Sequence, residues 1–346
     1  MKRERFAPVA YLILTATLLA VMVLCVCAGS VDVPPGETLK ALFNGKEAYA
    51  DASYTELSNR SIILNRLPRV LCVALSGAAL SLCGAAMQGL LRNPLADGST
   101  LGVSSGASLG AVLALAFGIS VPGIPYAGTM GMAMVFAFGS LALILMLAWV
   151  LDRSLATHSI ILIGVIFSMF ASSMTNLVIS FAGERVKSIA FWTMGSFAYC
   201  NYEYAAVLAG ALLVCGGVIL LHTRELNAFA VGEENARHIG VNVRRVKLTV
   251  MIAVSVLIGV CVSVGGTIAF VGLVTPHMAR LIVGPNHKRL LPASLFSGAI
   301  FLLLTDLAAR TVLRPRELNV GVVTSLVGAV AFVLILRARR GRRYEA

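Results

Sequence analysis

The sequence lacks the loop that most often cradles a nucleotide. The pattern G-x-x-x-x-G-K-[ST], whose backbone N–H groups hold phosphates, is absent; the nearest Gly-Lys pair, Gly45-Lys46, is followed by Glu47. H-E-x-x-H, G-x-S-x-G and paired catalytic carboxylates are missing too, which argues against a membrane-embedded enzyme. Charge is scarce: Asp, Glu, Lys and Arg make up 13% of the 346 residues. That is half of the roughly 25% usual in soluble domains. A soluble globular enzyme, a disordered chain and a disulfide scaffold are all excluded. Of seven cysteines, Cys25, Cys27, Cys72, Cys83, Cys215 and Cys261 fall in apolar runs, where Cys behaves as a small hydrophobe. Cys200 alone lies in a loop, and no Cys pair has metal-ligand spacing with His partners, so neither a metal site nor a cofactor is expected.

What the sequence has is apolar length. Hydrophobic residues form 58% of the chain, enough for about ten spanning helices at about 20 residues each. They come in unbroken runs rather than in alternation, which argues against a β-barrel. The fold class is therefore all-α, a single polytopic membrane domain over 1–346. Spans are expected near 7–28, 69–91, 99–117, 128–151, 158–182, 203–222, 246–268, 270–283, 291–308 and 320–336. The seventh and eighth are fused in one stretch interrupted by Gly265-Gly266 and Pro276, so nine spans is the alternative count. Broken backbone at membrane depth needs cover from protein or a water-filled cavity.

Lysine and arginine set the orientation. With the N-terminus inside, the cytoplasmic segments hold 18 of the 28 basic residues, including a tail over 337–346. Both termini are then cytoplasmic, and 29–59 forms an outer loop. The formal net charge of +12 thus serves topology rather than nucleic-acid binding. The first apolar run follows Lys2, Arg3 and Arg5 as a signal peptide would, but at about 20 residues it exceeds the roughly 7–15 of a signal core. An uncleaved first span is expected.

Acids within spans would mark ion coupling. The one acid so placed is Asp306, four residues before Arg310, and the pair reads as a structural ion pair near a helix end. A gradient-driven secondary transporter is the weaker alternative; energy borrowed from an ATPase subunit is the stronger.

Three segments carry more than connection. Gly77, Gly84 and Ala85 allow close helix approach. Gln88, one turn from the end of its span, suits either an interhelical hydrogen bond or a place on a polar pathway. Asn93-Pro94-Leu95 then makes a turn. The second segment is Phe270-Val271-Gly272-Leu273-Val274-Thr275-Pro276-His277, where His277 reads as a satisfied buried residue serving carbonyls freed by Pro276. The third lies between the sixth and seventh spans. Glu233 to Ile239 suits a short helix with Glu233 and Glu234 at its favoured end and Gly240 as its stop. It reads as an interfacial helix or a docking lever.

Together these motifs resemble the FecCD/BtuC family of ABC-transporter permeases, prokaryotic importers of iron–siderophores, haem and vitamin B12. The likeness runs from about residue 60 to 337 through Arg66-Leu67-Pro68-Arg69, Gly84…Met87-Gln88, Arg92-Asn93-Pro94-Leu95-Ala96-Asp97, Ala236…Gly240, Phe270–His277, Asp306…Arg310 and Glu317-Leu318-Asn319-Val320-Gly321. It implies a type II ABC importer permease in the cytoplasmic membrane, with no ATPase site of its own. The implied partners are a second copy of the chain, a cytoplasmic ABC ATPase dimer, an extracytoplasmic substrate-binding protein and membrane lipid. It further implies that Arg66, Arg69 and Arg310 dock glutamates of the binding protein. By the same resemblance Asn93-Pro94-Leu95 and Thr157-His158-Ser159 are gates, and coupling helices span about 228–243, with Glu233, Glu234, Ala236, Arg237 and Gly240. Two departures stand out: Gly98 follows Asp97 where the family often has Pro, and Asn319 replaces a proline.

Overall fold

The computed structural model describes residues 6–43, 53–122, 126–151 and 157–344. Its elements are helical: α1 (Phe6–Cys27), α2 (Pro35–Phe43), α3 (Tyr54–Leu90), α4 (Val103–Phe117), α5 (Ala127–Leu151), α6 (Thr157–Phe181), α7 (Val186–Thr193), α8 (Tyr202–Ala211), α9 (Gly217–Leu221), α10 (Thr223–Val231), α11 (Glu233–His238), α12 (Val243–Gly265), α13 (Val271–Val283), α14 (His287–Thr311) and α15 (Val320–Tyr344). A π-helical turn, Leu212–Gly216, joins α8 and α9 into one apolar span. Among the described residues, seven helices are long and apolar enough to cross a bilayer, and α4, α13 and the Val320–Ile335 part of α15 are shorter apolar helices. The two sets account for the ten spans read from the sequence.

Three spans form the centre. Helix α3 lies antiparallel to α1 and α14, with Arg66 reaching Val26 and Gly89 against His287. A Cβ on Gly77 would overlap the carbonyl oxygen of Gly298, and one on Gly84 would overlap that of Gly272. These two glycines bring α14 and α13 to backbone contact with α3, as association in lipid favours. Helix α12 closes the core with its buried Val250, Val254, Leu257 and Ile258. Helix α1 is built into the bundle: Tyr11 Oη donates to the Arg289 carbonyl at 2.7 Å, and Cys25 Sγ to that of Leu303 at 3.5 Å.

The structure corrects the reading of 29–59 as loop. Helix α2 occupies part of it, and α3 starts at Tyr54, giving 37 residues and a length of about 55 Å at 1.5 Å per residue. Its start is a capping box. Ser53 Oγ accepts from the Glu56 amide at 3.4 Å, and the Glu56 carboxylate accepts from the Ser53 amide at 2.9 Å. Residues 44–52 lie outside the described residues. The seventh and eighth spans separate where the glycine pair suggested: α12 ends at Gly265, Gly266 takes φ +70° and Phe270 φ +68° before α13 begins. Protein covers this break, because the Ser196 amide donates to the Gly265 carbonyl at 2.9 Å and Thr267 Oγ1 donates to that of Thr193. At the C-terminus, α15 continues to Tyr344, so helix runs into the segment read as a basic tail.

Candidate functional site

The bundle has two ends. One carries Arg92, Arg244, Arg245, Lys247, Arg280 and Arg289, and is called here the basic end; the other carries residues 28–34, 306–319 and the head of α3.

At the opposite end the three expected docking arginines converge. Arg69 donates from Nε and NH2 to Asp306 Oδ1 at 3.2 and 2.9 Å, and from NH1 to Glu317 Oε2 at 2.7 Å. Arg310 Nε stands 3.0 Å from Asp306 Oδ2, a charge contact off the line of a hydrogen bond. Its NH2 and NH1 donate to the carbonyls of Cys25 and Ala28 at 3.0 and 3.3 Å. Arg66 donates to the carbonyls of Val26, Cys27 and Val31 at 3.0, 3.3 and 2.6 Å. Arg310 is only 2% exposed, so in this conformation it stands behind the rim rather than on its surface. The physical reason is that a buried guanidinium needs its charge and donors matched, and Asp306 with two helix-end carbonyls does so. The exposed cations of this rim are Arg314, paired bidentately with Asp32 at 2.9 Å, and Arg316. The Arg314 guanidinium, with the Gly29 amide, holds the Asp32 carboxyl below its usual range.

Beneath that rim, the α12–α13 break borders a cavity of ≈ 460 Å³ whose lining includes Asp97, Ser104, Thr193, Thr267, Phe270 and Gly321. A smaller one of ≈ 260 Å³ is walled by side chains bearing hydroxyls and an amide: Ser104, Ser105, Ser108, Ser172, Thr175, Asn176 and Thr267. In so apolar a chain, this makes a polar patch between α4 and α6. Gln88 bridges helices, its amide donating to the carbonyls of Gly272 and Leu273 at 3.4 and 3.3 Å. It does not line either cavity. His277 is buried, its Nδ1 at 3.2 Å from the donating Arg280 NH1 and its ring 6.1 Å from that of Phe332.

At the basic end, Asn93 Oδ1 accepts from the Leu95 amide at 2.9 Å, a local turn that Pro94 permits, and leaves Leu95 exposed. The 3-10 turn that follows, Gly98–Leu101, packs on α4 and α6. Helices α10 and α11 form the connection between the sixth and seventh spans. Asn227 seats α10 on α14, accepting from the His287 amide at 2.9 Å and donating to Asn286 Oδ1 at 3.0 Å. In α11 the acids Glu233 and Glu234 stand at the N-terminal end and Arg237 and His238 at the other, the arrangement that the helix dipole favours. Ala236 is buried, while Glu234, Arg237 and Gly240 face outward beside the uncovered Val231 and Ile239. Glu233 turns inward instead. Its Oε1 accepts from Thr157 Oγ1 at 3.0 Å and pairs with Lys247 Nζ at 2.6 Å. His158 is exposed and Ser159 half-buried next to Thr157. Sequence reading counted Lys247 only among the topology-setting cations; no local pattern distinguishes it, since its partners lie 14 and 90 positions away.

A helical bundle of seven long and three shorter apolar helices among the described residues, broken between α12 and α13, defines a multi-pass membrane protein. Residues 17–338 match the FecCD transport family. The chain is 40% identical to an uncharacterized ABC transporter permease, YvrB, of Bacillus subtilis, over 99% of this chain and 97% of that one. It is 36% identical to the molybdate import system permease MolB of Haemophilus influenzae, over 87% and 89%. It is 35% identical to the vitamin B12 import system permease BtuC of Klebsiella pneumoniae, over 95% and 93%. A solved inward-facing conformation, described as that of a putative metal-chelate type ABC transporter, matches with a TM-score of 0.81 and 30% identity, covering 96% of this chain and 99% of that one. The chain belongs to the FecCD transport family and is a permease of the ABC importer type, multi-pass in the prokaryotic inner membrane.

Proposed function

We propose that this chain is the membrane half of an ATP-driven importer, working as a homodimer on two ABC ATPase subunits and receiving cargo from an extracytoplasmic binding protein. The basic end faces the cytoplasm, as the excess of lysine and arginine favours, and both termini lie on that side. The carrying observation is the lever α10–α11, which presents uncovered Val231 and Ile239 beside Glu234 and Arg237 in a chain with no nucleotide loop of its own. An apolar knob rimmed by charge suits a cytoplasmic protein partner.

The rim holding Arg66, Arg69 and Arg310 is the docking face. Arg66 and Arg69 meet the binding protein's acids; Arg310 contributes through Asp306, by fixing Arg69 in place. Asn93-Pro94-Leu95 and Thr157-His158-Ser159 gate the pathway at the cytoplasmic end. The cargo is a bulky metal chelate, iron–siderophore first, with haem and cobalamin as the other members of the class. The likeness to a metal-chelate type transporter and to a vitamin B12 permease supports this class. A relative named for molybdate shows that cargo differs among permeases of similar sequence, so selection is assigned to the binding protein.

Reconstitution tests the reading. Proteoliposomes holding the chain with its ABC ATPase and binding protein are expected to accumulate one of a panel of ferric siderophores, hemin, cobalamin and molybdate only when ATP is inside the ATPase-facing compartment. Uptake by the chain alone, driven by a proton or sodium gradient, would establish the secondary-transporter alternative.

A further inference from the structure

Two consecutive helices, α11 and α12, meet the distant head of α6 at one carboxylate oxygen near the basic end. Glu233 Oε1, on α11, accepts from Thr157 Oγ1 at the first residue of α6 (3.0 Å) and from Lys247 Nζ on α12 (2.6 Å). Lys247 Nζ also reaches Thr157 Oγ1 at 3.4 Å, which closes a triangle. Lys247 is wholly buried, whereas Glu233 is partly exposed. An ammonium out of water needs a countercharge, and breaking such a pair from one side leaves the charge uncompensated. The pair therefore resists separation more strongly than a surface ion pair does.

The element that carries Glu233 is built to move as a unit. Helix α11 is bounded by Gly232 at φ +139° and Gly240 at φ +87°, backbone conformations that side-chain-bearing residues avoid. Hydrogen bonds from the Ala236 amide to the Gly232 carbonyl and from the Val241 amide, just past Gly240, to the Ala236 carbonyl (2.9 and 3.0 Å) hold the segment together. A push on the exposed face of α11 thus reaches Glu233 with little loss in the loop itself. Glu233 in turn touches the residue that starts the Thr157-His158-Ser159 segment.

We propose that Lys247 is a positioning residue that clamps Glu233 of the lever to Thr157 at the head of α6, so that displacement of α11 is passed to α6 side chain to side chain. This relay rests on the ATP-driven reading above. Because Glu233 Oε1 serves both partners, its departure frees the Thr157 hydroxyl and strands Lys247 beside it. The relay therefore has two discrete arrangements, clamped and released, as switching elements do.

Hydrogen–deuterium exchange of the peptide spanning 157–165 provides the test, in nanodisc complexes isolated through a tag on the ATPase, so that only assembled complexes are read. In the wild type, the exchange of this peptide is expected to differ between the nucleotide-free and ATP–vanadate states. Lys247→Met and Glu233→Gln are expected to shrink that difference at least threefold. The double exchange Glu233→Lys/Lys247→Glu is expected to recover at least half of it, which a purely structural role would not do. Thr157→Ser, which keeps the hydroxyl, should behave as wild type, and Thr157→Val should not. A wild-type-sized difference in Glu233→Gln and Thr157→Val overturns the relay, even if Lys247→Met fails to fold. Failure of the wild-type chain to retain any ABC ATPase overturns the functional reading itself and the relay with it.

Discussion

Arg69 on α3 and Asp306 on α14 are joined across antiparallel helices by two hydrogen bonds to the same oxygen, Asp306 Oδ1, at 3.2 and 2.9 Å. The partner expected from spacing, Arg310, takes the other oxygen at 3.0 Å. One buried carboxylate is thus shared by two guanidinium groups, and Glu317 supplies the second negative charge at the rim.

Removing the central charge should be costly. Asp306→Asn leaves the Arg310 charge buried without a countercharge and Arg69 with Glu317 alone, and is expected to destabilise the detergent-solubilised protein by about 3–5 kcal/mol. Glu317→Gln removes a partner that is 36% exposed and should cost no more than about 1 kcal/mol. Unfolding titrations that found equal losses would mean the pair is not organised around Asp306.

Docking can be separated from stability at the same rim. Arg66→Glu should weaken association with the binding protein and lower uptake while leaving ATPase assembly intact. Because Arg66 also holds three carbonyls, Arg316→Glu on the exposed neighbouring turn is the paired variant. Both are expected to slow association more at low salt than at high salt, since exposed charges chiefly set the on-rate. Normal association in both would remove this rim from docking.

The Asp32–Arg314 pair predicts a pH effect of definite sign. Its carboxyl is held below the usual value, first by the Arg314 hydrogen bonds and then by the Gly29 amide. A depressed folded pKa stabilises above the unfolded value of about 3.9, and that contribution fades as pH falls through the lower folded pKa. Local protection of residues 28–34 should therefore drop as the solution is acidified below about pH 4. In Asp32→Asn it should be already low and insensitive to pH. Unchanged protection in that variant would show the pair to be idle.

Close helix approach gives a sharp contrast between glycines. Gly84→Ala forces a methyl group into the Gly272 carbonyl and is expected to cost at least about 1–3 kcal/mol, the range for overpacking. Gly139→Ala meets open space on α5 and should be neutral or slightly stabilising, since Ala favours helix. Thermal unfolding in detergent distinguishes them, and similar midpoints would refute the contact.

Some features of residues 29–59 are encoded locally. Ser53-x-x-Glu56 is a capping-box pattern, and it marks the start of α3 some fifteen residues before the apolar run begins. The apolar run alone reports where lipid begins, and α3 extends beyond it. Gln88 was open between two roles because a glutamine's spacing does not say what faces it; the carbonyls of Gly272 and Leu273 do. The depth of Arg310 is hidden from the sequence for the same cause: burial is a property of the packed bundle, and the carbonyls of Cys25 and Ala28 enclose it.

Composition and run length by themselves determined that this chain is a helical membrane protein with about ten spans, because hydrocarbon selects for helices of about 20 apolar residues whatever their neighbours. The ordered motifs, each local, determined the permease family. Only the tertiary structure decided which charges are structural and which are offered outward. Asp306 meets Arg69 across 237 positions and Lys247 meets Thr157 across 90. Such pairs form between different helices, and no periodicity along one chain segment encodes them.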